Sequence, residues 1–210
     1  MIDIVLPCLD EAAALPWVLS RIPAQARAIV VDNGSTDGSP DIARELGATV
    51  VSCRQRGYGA ACHAGLLAAD AELVAFCDCD ASLDPADALR LAAVDADLVV
   101  ARRRPTTWTS WPLPARLANR ELARRVRRRT GVPLRDVGPL RIAAREPLLT
   151  LGIADRRSGY PVETVVRAAD TGWRIAQVDV AYSPREGRSK ITGTWRGMAT
   201  AVHDMSAALR

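Results

Sequence analysis

The sequence predicts an α/β protein with a mostly parallel central sheet that is covered by helices on both faces. Short strands that are apolar throughout alternate with helices of about 10 residues over roughly the first half of the chain. These strands lack the polar alternation that is typical of a sheet with one face in water. The 210 residues suit a single domain with one sizeable core.

The first half contains five predicted strands, with a helix after each of the first four. A proline in the first turn indicates that the fourth helix begins near Pro85. The strands are expected at 2–7, 28–32, 48–52, 73–78 and 97–102. The helices are expected at 15–22, 39–46, 58–69 and 85–93.

The second half is less regular and contains no internal repeat, low-complexity linker or evident second domain. Residues 103–114 have a loop-like composition, and the very basic residues 115–129 are predicted to be helical. The remaining elements are a strand within 138–145, a helix at 159–171, a strand at 174–183 and a tail helix at 194–209.

The charged residues and cysteines bound the class of protein. The formal net charge is +4, and Lys190 is the single lysine among 28 basic residues. This bias is typical of a GC-rich genome, but arginine also binds phosphate through two parallel hydrogen bonds. Five scattered cysteines indicate a reducing compartment rather than a disulfide framework. With no signal peptide or membrane-spanning run, we expect a cytoplasmic protein that can still rest on the inner face of the membrane.

Polar segments follow the predicted strands, and in doubly wound sheets ligands bind outside the carboxyl ends of the strands. The first segment is Pro7–Glu11, and the second is Asp32–Gly38. The carboxylate of Asp32 is placed to accept from a base or a ribose hydroxyl, or else to cap a helix beside a glycine turn. In the third segment, 54–61, two glycines beside two arginines open a helix. That pattern fits either a phosphate site or a tight turn.

The fourth segment, residues 73–82, is a strand that runs into Asp78 and Asp80. At a period of two, both carboxylates face the same way. Their hard oxygens would suit Mg²⁺ or Mn²⁺, with diphosphate oxygens as further ligands. The alternative is a pair of loop acids that cap the next helix. Zinc is disfavoured, because the spacing of Cys77 and Cys79 is not the usual one and no second pair is near.

In this order and spacing, the segments PCLDEA, VVDNGSTDGS, RGYGAA and the Asp78/Asp80 pair resemble the family-two glycosyltransferases with the GT-A fold. The resemblance is greatest to the small polyprenyl-phosphate (dolichyl-phosphate) mannosyl- or glucosyltransferases, and it covers nearly the whole chain. Two later segments add to it. Residues 136–141 are similar to the acceptor-side segment of that group, and residues 185–193 are similar to its arginine-glycine-serine-lysine loop.

The resemblance implies one GT-A-like, Rossmann-like domain over residues 1–210, with a nucleotide-sugar-binding half (1–102) and an acceptor-binding half (103–210). It implies an inverting, metal-dependent transfer of a hexose from a nucleotide sugar of the GDP-mannose or UDP-glucose type. A polyprenyl phosphate is the favoured acceptor, and a soluble small molecule is the alternative. The sequence does not indicate the oligomeric state.

The resemblance also implies roles for individual residues. Those that line the nucleotide-sugar pocket would be Pro7, Glu11, Asp32, Arg56, Gly57, Asp78 and Asp80. Asp78 and Asp80 would hold Mg²⁺ or Mn²⁺ and the sugar diphosphate. Those that meet phosphates of donor or acceptor would be Arg141, Arg185, Ser189 and Lys190. The catalytic residues would be Asp80, Arg185 and Glu163, which acts either as a general base or as a carboxylate that positions the sugar or an arginine.

Three positions depart from the family pattern. Asn33 stands where a second acid is common, Tyr58 where a lysine is often found, and Ser82 where the mannosyltransferases often have a glutamine. These departures leave the identity of the sugar and the geometry of the metal open.

Residues 108–129 place Trp108 and Trp111 in a proline-bounded loop before an arginine-rich helix. This pattern predicts either a surface that rests on anionic headgroups or a solvated helix face with the tryptophans packed on the core. Nucleic acid is disfavoured because the aromatic residues do not interleave in a stacking pattern.

Two other classes of protein stay open, a nucleotidyltransferase and an inactive nucleotide-binding module. The first is disfavoured because the N-terminal segment lacks a glycine-rich loop with a lysine.

Overall fold

The computed structural model describes residues 1–187, 204–205 and 207–209. The strands are β1 (Ile2–Cys8), β2 (Ala26–Asp32), β3 (Thr49–Ser52), β4 (Leu73–Phe76), β5 (Leu98–Pro105), β6 (Arg141–Ala144) and β7 (Ile175–Tyr182). The helices are α1 (Leu15–Ser20), α2 (Ser39–Glu45), α3 (Tyr58–Ala68), α4 (Asp87–Ala92), α5 (Leu113–Thr130), α6 (Arg145–Thr150) and α7 (Tyr160–Asp170). Within the described part of the chain, no helix has the length and apolar character needed to cross a lipid bilayer.

The strands form a single sheet in the order β3-β2-β1-β4-β6-β5-β7. Strand β6 runs antiparallel to its neighbours β4 and β5, and every other pairing is parallel. The predicted α/β fold with a mostly parallel sheet is therefore confirmed. Strands β6 and β7 come from the second half of the chain, so both halves share one framework. The functional division at residue 102 stays a prediction.

Alternate residues of the buried strands face opposite sides of the sheet, as the period of two requires. Val5 and Ile29 enter a core that is shared with α3, α5 and α7. Ile4 and Val30 enter a second core that is shared with α1, α2 and α4. Because both faces are apolar, the strands read as continuous hydrophobic runs in the sequence.

The second half differs from the sequence prediction in two places. Strand β5 continues through Arg103 to Pro105, which pairs with Tyr182, so the predicted loop at 103–114 is wrong for its first three residues. Parallel pairing with β7 holds this arginine run extended against its local preference. The strand expected within 138–145 is confined to β6, residues 141–144, and helix α6 begins at the next residue. The predicted tail helix lies largely outside the described residues.

Candidate active site

The carboxyl ends of β1, β2 and β4 meet at one edge of the sheet, because these strands are parallel. In the order β3-β2-β1-β4, the chain winds one way to β3 and then returns to place β4 on the other side of β1. This reversal makes the gap between β1 and β4 a topological switch point, where open α/β sheets bind ligands. The loops after these strands carry Glu11, Asp32, Asp78 and Asp80. The strand-end segments of the first half therefore form one site.

The loops after β1 and β2 are joined by hydrogen bonds. The amide of Asp10 donates to Ser35 Oγ at 2.9 Å, and the amide of Glu11 donates to Ser39 Oγ at 2.9 Å. The Asp10 carboxylate accepts from the amide of Thr36 at 2.7 Å. Asp10 has a φ of 53°, a left-handed conformation that is uncommon outside glycine. These contacts fix one wall of the site, next to the half-buried Pro7.

The end of β2 carries Asp32 and Asn33, which have different partners. Asp32 Oδ1 accepts from the amide of Ser35 at 2.9 Å, and no described residue donates to its Oδ2. The buried Asn33 donates to the carbonyls of Cys53 and Gln55, at 3.0 and 2.7 Å. Asp32 therefore keeps one oxygen for a ligand, whereas Asn33, which the sequence marks only as a departure, holds the third loop in place.

The third loop is tied to Asn33 from its other end as well. The amide of Gly57 donates to Asn33 Oδ1 at 2.8 Å, and Arg56 Nη1 donates to the Asn33 carbonyl at 2.7 Å. Arg56 and Gly57 thus lie beside the end of β2, where their predicted place near a nucleotide requires them to be. Their contact with a nucleotide stays a prediction.

The N-terminus of α3 does not present its amides to a phosphate. The amides of Gly59 and Ala60 donate to the carbonyls of Arg157 and Arg156, at 2.9 and 2.8 Å. A Cβ on Gly57 would lie 2.2 Å from the carbonyl oxygen of Arg156, and one on Gly59 would lie 2.9 Å from its carbonyl carbon. The glycines serve this close approach of two chain segments. The amides of Gly59 and Ala60 are therefore not available to a phosphate, which favours the tight-turn alternative. A phosphate contact of the neighbouring arginines stays a prediction.

Asp80 is buried and is held from three sides. Its Oδ1 accepts from the amide and the hydroxyl of Ser82, at 3.0 and 2.5 Å, and its Oδ2 pairs with Arg185. Between them Ala81 has a φ of 62°. A left-handed non-glycine residue is strained, and such strain is common at ligand sites. Ser82, at a position where relatives often carry glutamine, therefore orients the Asp80 carboxylate.

In contrast to Asp80, the carboxylate of Asp78 is not held by any side chain among the described residues. It is partly exposed, and no described residue donates a hydrogen bond to its side chain. Burial, followed by the charge of Asp80, raises the pKa of Asp78 to about 6. The nearby cations that oppose this rise are Arg103, Arg185 and Arg141.

The pair of carboxylates fits a divalent cation in its chemistry. Two aspartates offer the hard oxygens that Mg²⁺ and Mn²⁺ prefer, and a bound cation would lower the cost of ionising Asp78, whose pKa burial and Asp80 raise. Among the described residues, no group of three or more His, Cys, Asp or Glu side chains converges. A bound diphosphate and water would supply further ligands of such a metal.

The segment that carries Arg185 closes over Asp80. The amide of Glu186 donates to the Asp80 carbonyl at 2.9 Å, and the amide of Ser183 donates to the Ser82 carbonyl at 2.9 Å. A Cβ on Gly187 would lie 3.8 Å from Glu11 Oε2, so the segment also approaches the first loop. The segment therefore places Arg185 beside Asp80 and brings Gly187 close to Glu11. Ser189 and Lys190 lie outside the described residues.

Glu163 is buried at the start of α7, with its carboxylate fully engaged. It accepts from the amides of Ala154 and Asp155, at 3.0 and 2.6 Å, and from Arg167 Nε at 2.6 Å. Burial raises the pKa of Glu163, but these hydrogen bonds outweigh burial and hold its pKa below the ordinary value. A carboxylate with these partners and a low pKa is suited to positioning the chain rather than to taking up a proton.

Arg141 is 1% exposed and lies on β6 beside the site. Its Nε donates to the Pro139 carbonyl at 3.3 Å, and its guanidinium lies 5.9 Å from the ring centroid of Phe76. Its Nη2 has no partner among the described residues. A buried donor without an acceptor is costly, and an anionic ligand would supply one to Nη2. Its predicted contact with an acceptor phosphate stays a prediction.

Arg103 is a candidate that the sequence prediction missed. Its Nη2 pairs with the buried Asp136 at 2.8 Å, and its guanidinium lies 4.0 Å above the ring of Trp111 and 5.4 Å from that of Tyr182. The sequence signal was the arginine run at the carboxyl end of the predicted strand 97–102. It was overlooked because residues 103–114 were assigned to a loop. Trp111 is partly buried against Arg103 and Tyr182, whereas Trp108 is 87% exposed, so the alternative of two tryptophans packed on the core is not met at Trp108.

Comparison with known proteins shows which family and which individual proteins this chain is similar to. A family model described as Glycosyl transferase family 2 matches residues 3–149. An uncharacterized glycosyltransferase of Mycobacterium tuberculosis (strain ATCC 25618 / H37Rv) is 48% identical over 207 residues, which cover 97% of this chain and 95% of that protein. The dolichyl-phosphate hexose transferase of Haloferax volcanii is 31% identical over 196 residues, which cover 90% of this chain and 85% of that protein.

A solved structure is similar over the whole chain. Glucosyl-3-phosphoglycerate synthase from Mycobacterium tuberculosis, in complex with Mn²⁺, UDP and glucosyl-3-phosphoglycerate, matches with a TM-score of 0.77 at 24% identity. The match covers 100% of this chain and 78% of that chain. The likeness is one of fold, and it confirms the GT-A-like arrangement that the sequence predicts.

Proposed function

The chain belongs to glycosyl transferase family 2, and from this premise we propose that it moves a hexose from a nucleotide sugar to a polyprenyl phosphate. The observation that carries the proposal is the Asp78 carboxylate at the switch point of the sheet. It lacks a hydrogen-bond donor among the described residues, although burial and Asp80 make its charge unfavourable. A carboxylate in that state suits a divalent cation, which would also bind the oxygens of the donor diphosphate.

The donor would lie across the ends of β1, β2 and β4. The free oxygen of Asp32 is suited to a base or ribose hydroxyl, because carboxylates accept from both. Arg56 lies beside it, held by the Asn33 carbonyl. At the other end of the site, Arg185 is placed to meet the diphosphate, because its guanidinium already contacts Asp80.

A bound Mg²⁺ or Mn²⁺ would be held by Asp78 and Asp80 and would neutralise charge on the departing diphosphate. The guanidinium groups of Arg185 and Arg103 would add fixed positive charge on the same side. Buried or half-buried, these groups act where charge interactions are stronger than in water. Their expected contribution is stabilisation of the leaving group.

The acceptor would attack the anomeric carbon from the face opposite the diphosphate, which inverts its configuration. A phosphate oxygen is already ionised at neutral pH and needs no general base. This matches the low pKa and full hydrogen bonding of Glu163. In this mechanism Glu163 is a positioning residue that holds the chain next to the start of α3 and has no part in proton transfer.

Two findings bear on the acceptor. The dolichyl-phosphate hexose transferase covers nearly the whole chain at 31% identity, which supports a lipid-linked phosphate. The unpartnered Nη2 of the buried Arg141 suits an anionic group in the same place. A soluble anionic acceptor is the second candidate, since the synthase of similar fold was crystallised with glucosyl-3-phosphoglycerate.

The donor site is tested by calorimetric titration of nucleotide sugars, with and without Mn²⁺ or Mg²⁺. We expect metal-dependent binding of one nucleotide sugar, and its loss in Asp78→Asn and Asp80→Ala. Asp41→Asn, an exposed aspartate on α2 that pairs with Arg44, is the matched control. Absence of binding by the folded wild type to every donor in the panel would reject the donor site.

The acceptor is tested by transfer of a radiolabelled sugar from the donor that binds. We expect label in the organic phase with a polyprenyl phosphate, and no labelled product distinct from the donor when phosphoglycerate is supplied and the aqueous phase is resolved by anion-exchange chromatography. A labelled phosphoglycerate product without label in the organic phase would reject the lipid acceptor and leave the donor site standing.

A further inference from the structure

Helix α5 carries an exposed surface stripe, which begins with Leu113 and Leu117 and continues along its arginines. The proposed donor site does not use this stripe. The inner side of α5 contributes the buried Ala123 and Val126 to the core. Its outer side begins with Leu113 and Leu117, which are 64% and 57% exposed. Exposed leucines on a helix that is otherwise rich in arginine are unusual and mark a contact surface.

A groove of about 790 Å³ runs between this stripe and the end of β5. Four of its arginines, Arg116, Arg120, Arg127 and Arg135, have no ion pair with any described residue. Other arginines of α5 are paired within the protein, such as Arg129 with Asp170 at 2.9 Å. Unpaired like charges that share a groove repel one another, so the groove favours an anionic partner.

The loop before α5 adds an aromatic residue to the same end of the helix. Trp108 is 87% exposed, whereas the neighbouring Trp111 is held by Arg103 and Tyr182. An exposed tryptophan five residues before the first of two exposed leucines, followed by unpaired arginines, has the chemistry of a membrane interface. There the apolar side chains enter below the headgroups and the cations meet the phosphates.

We propose that Trp108, Leu113, Leu117 and the groove arginines form a docking surface for an anionic phospholipid membrane. The inference deepens the proposed function, on which it rests only in that a lipid-linked acceptor would lie at such a membrane. A nucleic acid fits less well, because a single exposed tryptophan offers no series of stacking platforms for bases. A soluble phosphate would leave the apolar end of the stripe without a partner.

The surface is tested by co-sedimentation with vesicles, in the absence of donor and acceptor. The vesicles contain phosphatidylcholine alone or phosphatidylcholine with phosphatidylglycerol. We expect binding to the anionic vesicles that weakens as salt is raised. Arg120→Gln/Arg127→Gln should lower the partition coefficient roughly 25-fold, about fivefold for each arginine. Trp108→Ala should also weaken binding, and should abolish any blue shift of tryptophan fluorescence on vesicle addition.

The matched control is Arg44→Gln/Arg90→Gln, which removes the same charge from exposed arginines on α2 and α4, on the opposite face of the sheet. It should bind vesicles nearly as well as the wild type. Equal binding to both vesicle types, full binding by the folded Arg120→Gln/Arg127→Gln variant, or no binding by the wild type would overturn the proposal. So would tighter binding to a DNA duplex at equal phosphate and salt. Donor titration is a separate measurement, so its failure would not be mistaken for failure of the docking surface.

Discussion

At the scale of single residues, the two oxygens of Asp80 differ in their partners. Its Oδ2 is paired with Arg185, so under the proposed function that oxygen would bind a divalent cation only after the guanidinium moves or shares it. Its Oδ1 accepts from Ser82. We therefore expect Arg185 to compete with a metal ion when no donor is bound and to contact the diphosphate when one is.

Arg185→Gln should change two affinities in opposite directions. Binding of Mn²⁺ alone, measured by electron paramagnetic resonance, should tighten about fivefold because the competing charge is gone. Binding of a nucleoside diphosphate at saturating Mn²⁺, measured by calorimetry, should weaken about tenfold because a charged hydrogen bond is lost. Arg21→Gln, which removes an exposed partner of Asp84, should change neither affinity. A change of both affinities in the same direction would contradict this role.

Glu163→Gln distinguishes a positioning carboxylate from a general base. We expect the free energy of unfolding to fall by about 1–3 kcal/mol, because charge-assisted hydrogen bonds are lost. Because the pKa of Glu163 is lower in the folded chain than in the unfolded chain, its contribution is complete above the ordinary value of 4.5. It is lost as the pH falls from there through the lowered pKa, so denaturation curves of wild type and variant should converge in acid.

The kinetic readout of the same variant is the pH–rate profile. If Glu163 only positions the chain, the decline of kcat on the acid side of the pH–rate profile should be unchanged in Glu163→Gln. Loss of that decline, with a fall in kcat of about 10²- to 10⁴-fold, would reject positioning and restore the general base.

At the scale of elements, the sequence predicted the first half well because β1, β2 and β4 are largely buried apolar runs with short helices between them. The strand β5 was cut short because an arginine run has no local preference for a strand, and pairing with β7 decides its length. The helix α6 was missed because residues 145–150 are too short to show a helical period. The contacts of Arg103 with Asp136 and of Asn33 with the third loop are long-range, and no local pattern contains them. Glu163 instead pairs with Arg167 one helical turn away, a spacing that is visible in the sequence.

Gly59→Ala tests whether the glycines after β3 serve packing. Helix propensity alone predicts that alanine within α3 is stabilising by about 1 kcal/mol. The structure predicts the opposite sign, because the new Cβ would lie 2.9 Å from the backbone carbon of Arg156 and from the carbonyl oxygen of Arg157. We expect the free energy of unfolding in urea to fall by about 1–3 kcal/mol. Donor affinity should fall too, since Arg56 and Gly57 are displaced.

Gly172→Ala is the control for that variant. Its Cβ would meet nothing within 4 Å, but its φ of +80° makes alanine strained. It should lose about 1 kcal/mol of stability through the backbone alone and keep its donor affinity. Higher stability of Gly59→Ala than of the wild type would show that the close approach to the 156–157 segment is not needed.

At the scale of the whole molecule, one sheet with a core on each face supports a site at its edge. Strands β1 and β4 are buried on both sides, so the loops that carry Glu11, Asp78 and Asp80 extend from a rigid base. The chain then crosses to the far side and returns through β7, which delivers Arg185 to the same edge. The positions of the carboxylates followed from the sequence, whereas this return path depends on the antiparallel strand β6, whose direction the sequence did not indicate.

Thermal unfolding of the whole domain should report occupancy of that edge. With Mn²⁺ and a nucleoside diphosphate at about 100 times its Kd, ligand binding adds about 2.7 kcal/mol, which corresponds to a rise in Tm of roughly 5–10 °C for a domain of this size. Asp78→Asn should lose this rise. Without ligand, however, the variant should be more stable than the wild type at neutral pH, by about 1–3 kcal/mol. The raised pKa of Asp78 means that its ionised form opposes folding above pH 6, and the amide removes that cost. Equal or lower stability of the unliganded variant would contradict the view that the protein keeps this carboxylate for its ligand at the expense of its fold.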